Sequence, residues 1–141
     1  DLRSGGASEP AEQLGDIVHA FGLVSVQIDV EGELPSDVRV AAAFLQIIRE
    51  ASTNATKHAQ AHRVHVRRGR GGADAGAVAR MTISNDGSPA PVSYREGTGI
   101  PGMRHVAQNL GGSLEVHAAP PFTLAVSIPL ASNATDQRRS S

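Results

Sequence analysis

Arg49-Glu50-Ala51-Ser52-Thr53-Asn54-Ala55-Thr56-Lys57-His58 is the stretch on which the reading of the fold turns. Glu50 and Asn54 are four residues apart, as are Asn54 and His58, and Lys57 lies three beyond Asn54. Side chains so spaced share one face of a helix. At about 100° per residue, Ala41, Phe44, Ile48, Ala51, Ala55 and Ala59 fall on an apolar stripe roughly a third of a turn away. The polar groups are therefore expected to border the core. Asparagine is a poor residue for a helix interior, so Asn54 calls for an explanation. A hard cation such as Mg2+ takes oxygen ligands and keeps several waters. Asn54 offers a neutral amide oxygen for it, Glu50 can order a metal-bound water, and Lys57 can meet phosphate as a point charge. A solvated helix face with ordinary i,i+4 pairs has the same spacing, so this stretch alone leaves both readings open.

Gly97-Thr98-Gly99-Ile100-Pro101-Gly102-Met103 is the second informative stretch. Its glycines spell G-x-G-x-x-G, but the residues before them, 85–99, read as a Gly/Pro-rich loop and not as a strand leading tightly into the turn. The dinucleotide-binding βαβ unit is excluded on that ground. The glycines still let backbone N–H groups approach an anion. A helix starting near Ile100 or Pro101 adds its positive end, and proline is tolerated there. An ordinary flexible loop before a helix fits these residues too. The two stretches together describe a nucleotide site: a helix that holds a metal ion and a loop that holds phosphates.

Outward from these stretches, the chain reads as helix, strand, helix, two strands, helix, two strands. A helix is predicted over 11–20, with Leu14, Ile17, Val18 and Phe21 on one side. Residues 23–30 alternate with period two and read as a half-buried strand. Ser36 is the expected N-cap of the longest helix, 37–59. Strands are expected at 63–67 and 77–84, separated by a Gly/Ala-rich turn at 69–76, and the second strand ends in Asn85-Asp86-Gly87. A helix over 100–110 closes on Gly111-Gly112. Residues 114–117 and 123–128 form a hairpin around Pro120-Pro121. This order implies an α/β (α+β) two-layer sandwich, with a mixed, mostly antiparallel sheet of about five strands packed on about three helices.

The 141 residues suffice for one domain. We expect a linker at 1–9, the domain at 10–130 and a disordered polar tail at 131–141, the whole cut from a longer chain. With 13 basic and 14 acidic residues the net charge is -1, so no global charge favours nucleic acid or a membrane surface. Aromatic residues are only 3%, which leaves the core to Val, Ile, Leu and Ala. There are 0 cysteines, so disulfides and thiolate metal sites are excluded, as a reducing cytoplasm allows. No apolar run nears the ~20 residues that span a bilayer.

In order and spacing, these motifs resemble the catalytic and ATP-binding domain of sensor histidine kinases. Arg49-Glu50-Ala51, Asn54 and Lys57-His58-Ala59 look like the N-box, Asn85-Asp86-Gly87 the adenine-binding G1 box, and residues 97–104 the G2 box with its ATP lid. Leu110-Gly111-Gly112 and Ser127-Ile128-Pro129 also fit. The match is closest to the subfamily whose partners are response regulators with helix-turn-helix output domains.

The resemblance implies the Bergerat (GHKL) fold, ATP and Mg2+ as ligands, and a cytoplasmic location. Asn54 would ligate Mg2+, with Glu50 beside it through a water; Lys57 and His58 would lie near the phosphates. Gly97, Thr98, Gly99, Ile100, Gly102 and Met103 would belong to the lid region, and Asn85, Asp86, Gly87 and Thr123 would serve the nucleotide. Two positions depart from the family pattern. Asn85 stands where an adenine-reading Asp is usual, and Phe122, with Thr123 next to it, stands where a Thr is usual.

The phosphoacceptor is expected on a separate dimerising helical hairpin. None of His19, His58, His62, His65, His105 and His117 lies in an acceptor context of His followed closely by acidic residues on a long helix. The phosphoryl group would then pass to a response regulator's Asp, with any membrane contact made by other parts of the parent protein. Two alternatives stand: a degenerate nucleotide-binding or partner-docking module, motivated by Asn85 and Phe122, and a serine kinase of the anti-sigma-factor type.

Overall fold

The computed structural model describes residues 9–58, 60–71, 77–87, 99–117 and 121–130. Within them lie α1 (Pro10–Gly22), β1 (Gln27–Glu31), α2 (Val38–His58), β2 (Arg63–Gly71), β3 (Val78–Asn85), α3 (Ile100–Asn109), β4 (Ser113–His117) and β5 (Thr123–Pro129). The strands form one sheet in the order β1-β2-β3-β5-β4. β1 and β2 run parallel, which a pair joined by the α2 crossover can do and a tight hairpin cannot. The other three pairings are antiparallel. The expected two-layer sandwich with a mixed, mostly antiparallel sheet is what the chain adopts.

All three described helices lie on one side of the sheet. α1 packs on β1, α2 on β2 and β3, and α3 on β4 and β5, with α2 between the other two. Strand alternation matches this arrangement. Val64 and Val66 of β2, Ala79, Met81 and Ile83 of β3, and Leu124, Val126 and Ile128 of β5 are buried against the helices. The opposite face is polar. There Asp29 and Glu31 of β1 meet Arg63, His65 and Arg67 of β2 at 3.2, 2.9 and 3.5 Å. Such exposed pairs add about 1 kcal/mol or less each. Their value lies in register, because a slip of one residue would turn the charges into the core.

α2 is the spine of the helical layer. Val40, Phe44, Ile47 and Ile48 are fully enclosed, and each such side chain contributes about 1.5–3 kcal/mol by leaving water. The predicted stripe Ala41, Phe44, Ile48, Ala51 and Ala55 is buried throughout; Ala59 lies outside the described residues. Ser52 is also fully buried, and among the described residues its hydroxyl has no hydrogen-bond partner. The N-cap is Asp37 and not Ser36: its Oδ1 accepts from the N–H groups of Arg39 at 2.9 Å and Val40 at 3.4 Å. Those are the second and third helical positions, which leave orphan donors for a cap.

Three other boundaries differ from expectation. α1 runs from Pro10 to Gly22, beyond the predicted 11–20. Residues 23–25 belong to the turn after it, with Leu23 and Val24 exposed and Ser25 at φ 69°. β1 therefore starts only at Gln27. β2 continues through Gly69, Arg70 and Gly71, held by pairing with Arg80, Ala79 and Val78 of β3, where the composition had read as a turn. Residues 72–76 of that turn, the linker at 1–8 and the tail at 131–141 lie outside the described residues.

α3 ends as predicted. Gly112 N–H donates to Ala107 O and Gly111 N–H to Gln108 O, both at 2.9 Å, with Gly111 at φ 79°. This is a Schellman close. Gly112 also passes so near β5 that a Cβ there would meet Ser127 O at 2.1 Å.

Candidate nucleotide-binding site

α2 and α3 converge where the two informative stretches require. A cleft of about 180 Å³ between them is lined by Gln46, Glu50, Gly99, Gly102, Met103 and Val106. Gly99, at φ 80°, is the N-cap of α3, and a Cβ on it would fall 2.6 Å from Glu50 Oε2. The carboxylate of α2 thus lies directly against the start of α3. Among the described residues no side chain caps that start. The first intrahelical bond comes from Met103 N–H to Gly99 O at 2.9 Å, so the N–H groups of Ile100 and Gly102 have no acceptor within the helix, and Pro101 has none to give. An uncapped N-terminus carries positive potential and exposed donors, a setting suited to phosphate.

The polar face of α2 is graded from core to solvent. Asn54 is 3% exposed, Glu50 is half-buried and Lys57 is exposed. The expectation that these groups border the core holds for Glu50 and Asn54, while Lys57 extends into solvent. His58 closes α2, and its side chain lies outside the described residues. Among the described residues no group of three or more His, Cys, Asp or Glu could cage a metal. The donors on hand, one carboxylate and one carboxamide, suit a Mg2+ that takes its other oxygens from phosphates and water.

The second corner lies at the end of β3. Asn85 follows Ile83 on the helix-facing side, and its Oδ1 accepts from Gly87 N–H at 2.8 Å. Asp86 faces elsewhere. Its Oδ1 accepts from the backbone N–H groups of His62 at 2.9 Å and Arg63 at 3.0 Å, and its own N–H donates to Arg63 O at 3.2 Å. The Arg63 and His62 amides hold the Asp86 carboxyl below the usual carboxylate range. Asp86 thereby fastens the corner to β2, on the rim of a separate crevice of about 600 Å³ beside the end of α1.

Other predicted residues are divided between core and surface. Ile100 and Met103 are buried and anchor α3, with Met103 also walling the cleft. Gly102 lines it with open space around its Cα. Along β5, Phe122 is buried on the same side as Leu124, so alternation directs Thr123 to the opposite side. The Thr123 hydroxyl donates to Pro121 O at 2.8 Å. Gly97 and Thr98 lie outside the described residues.

Two residues lining the cleft were not singled out in the sequence. Gln46 and Val106 line the cleft, and Gln46 was findable as the residue one turn before Glu50. Arg104 Nε donates to Leu114 O at 3.3 Å and ties α3 to β4, a contact to a strand edge that no local pattern announces.

No family model and no curated protein sequence matches this chain; its likenesses are among solved structures. The blue-light activated histidine kinase of Erythrobacter litoralis EL346 superposes with a TM-score of 0.66 at 24% identity, covering 86% of this chain and 42% of that one. This chain thus spans less than half of that kinase. The Acinetobacter baumannii histidine kinase AdeS gives a TM-score of 0.66 at 11% identity, covering 85% of this chain and 64% of that one. The ATP binding domain of PrrB from Mycobacterium tuberculosis gives 0.61 at 22% identity, and there the coverage is nearly mutual, 86% and 94%. The chain has the fold of the catalytic, ATP-binding domains of histidine kinases.

Proposed function

We propose that this chain binds Mg2+-ATP between α2 and α3 and acts as the catalytic domain of a sensor histidine kinase. The contact between Glu50 and the uncapped α3 N-terminus at Gly99 carries the reading. It brings the Glu50 carboxylate to the same cleft as the first backbone N–H groups of α3, with Asn54 one turn further along α2. Asn54 and Glu50 would hold the metal, directly and through water, and Mg2+ would neutralise phosphate charge there. Lys57 and the N–H groups of Ile100 and Gly102 would orient the phosphates, and the segment carrying Gly97, Thr98 and Gly99 would close over them and exclude water. Phosphoryl transfer needs little from a protein beyond such positioning and charge neutralisation.

In this reading the γ-phosphoryl group goes to a His on the parent protein's dimerisation domain, then to the Asp of a response regulator with a helix-turn-helix output domain. The site would work in the cytoplasm. No helix of the described residues is long and apolar enough to cross a membrane.

Titration with a fluorescent ATP analogue, with and without Mg2+, tests the site. Asn54→Ala is expected to lose tenfold or more of the Mg2+-dependent affinity, on the scale of a lost metal ligand. Lys57→Ala, at an exposed position, should lose affinity with its fold intact. Wild-type affinity in Asn54→Ala would overturn the metal role. A second reading, a nucleotide-binding or docking module without transfer, draws on Asn85 and on Phe122 just before β5. Transfer of phosphate to a separately supplied hairpin histidine would exclude it.

A further inference from the structure

We propose that Asn85 presents the nucleotide base with hydrogen-bond donors, so that the site accepts a 6-oxopurine nucleoside triphosphate about as readily as ATP. The proposal rests on the reading of the β3 corner as the base-binding end of the site.

The orientation of the Asn85 amide carries the argument. Gly87 N–H is 2.8 Å from Oδ1. A backbone N–H only donates, so the carboxamide oxygen must face it, and a flipped amide would set NH2 against N–H. The oxygen is committed to the turn, and the Nδ2 donors have no partner among the described residues. Asn85 is half-buried on the helix-facing side of the sheet. The turn itself is fixed: Asp86 bonds the His62 and Arg63 amides through its carboxylate and Arg63 O through its own N–H. Gly87 is thus held where it keeps Asn85 from reversing.

The consequence is one of selectivity. A carboxylate here could only accept: it would pair with a 6-amino group and oppose a 6-oxo group at the same place, with N1–H the one donor a 6-oxopurine offers it. The Asn85 amide donates instead, to ring N1 of adenine or to O6 of a 6-oxopurine. A hydrogen-bonded site rejects the wrong analogue when a buried group is left unpaired or opposed, and Asn85 opposes neither base.

Competition titrations with ATP and inosine triphosphate, which differ only at C6 and N1, test this in Mg2+ on the intact chain. Wild type is expected to bind the two within about threefold. Asn85→Asp should give a preference for ATP of roughly tenfold or more, the scale of one hydrogen bond matched against one opposed. Its carboxylate still accepts from Gly87 N–H, so the turn survives. Asn85→Ala should weaken both nucleotides by the same factor. A wild-type preference for ATP of tenfold, or a ratio unchanged in Asn85→Asp, would overturn the proposal while leaving the nucleotide site standing. Binding of neither triphosphate would instead overturn the site and the proposal together.

Discussion

Asp86 sits in an Asp-Gly turn, and its carboxylate reaches back 24 residues to the amide of His62. The turn is legible in sequence, but the reach is not, because the partner is a strand start brought near only by β2–β3 pairing. Ser52 is hidden for a similar reason: a hydroxyl on a helix gives no sign of landing in a fully buried position. Asp86 makes a pH-dependent prediction. A carboxyl held below its ordinary range by hydrogen bonds adds stability that is fully present above its unfolded-state pKa and is lost as pH falls through the folded-state value. Asp86→Ala is expected to cost about 1 kcal/mol near neutrality, at the low end for two charge-assisted bonds because water screens the exposed carboxylate. Urea midpoints of wild type and variant should converge in acid, below the folded-state pKa. A gap of the same size there would show that the side chain acts through something other than its charge.

At the scale of elements, periodicity located every described helix and strand, and it failed at ends decided by long-range contact. Leu23 and Val24 have strand-like alternation but, among the described residues, no partner strand beside them, so they stay in the turn after α1. Gly69 and Gly71 have turn-like composition, yet β3 offers them a ladder and they take it. Ser36 and Asp37 are both good caps, and helix geometry alone selects the second. The close of α3 was readable because the Gly111-Gly112 pair is local. What was not readable is the division of labour between the two glycines. Gly111 has φ 79° with only Pro129 Cγ at 3.8 Å from a Cβ, whereas a Cβ on Gly112 would strike the Ser127 carbonyl at 2.1 Å. Gly111→Ala should therefore cost only the left-handed backbone penalty, about 1 kcal/mol. Gly112→Ala must push a helix end off a central strand's backbone and should cost at least about 2 kcal/mol, as overpacking does. Urea unfolding of both variants decides it; equal losses would mean that the α3–β5 approach yields more easily than the geometry allows.

For the whole molecule, sequence order gave the two-layer architecture, but the parallel β1–β2 pair and the meeting of α2 with α3 exist only in three dimensions. Glu50 and Gly99 are brought together because α2 and α3 lie side by side on one sheet, α2 over β2 and β3 and α3 over β4 and β5. Phe122 and Thr123 face opposite sides of the sheet, a difference that burial along the strand reveals and motif matching does not. In the proposed function, the phosphoryl group goes to a histidine carried outside this domain. Incubated with γ-labelled ATP and Mg2+, this chain should leave itself unlabelled. Addition of a separate dimeric helical hairpin bearing the acceptor His should give acid-labile label on that hairpin. Asn54→Ala should reduce the transfer rate tenfold or more, since positioning and charge neutralisation supply most of the acceleration in such reactions. Label on this chain's own histidines would assign the acceptor to the domain itself. Equal transfer by Asn54→Ala would remove the α2 face from the chemistry and with it the reason the two helices need to meet.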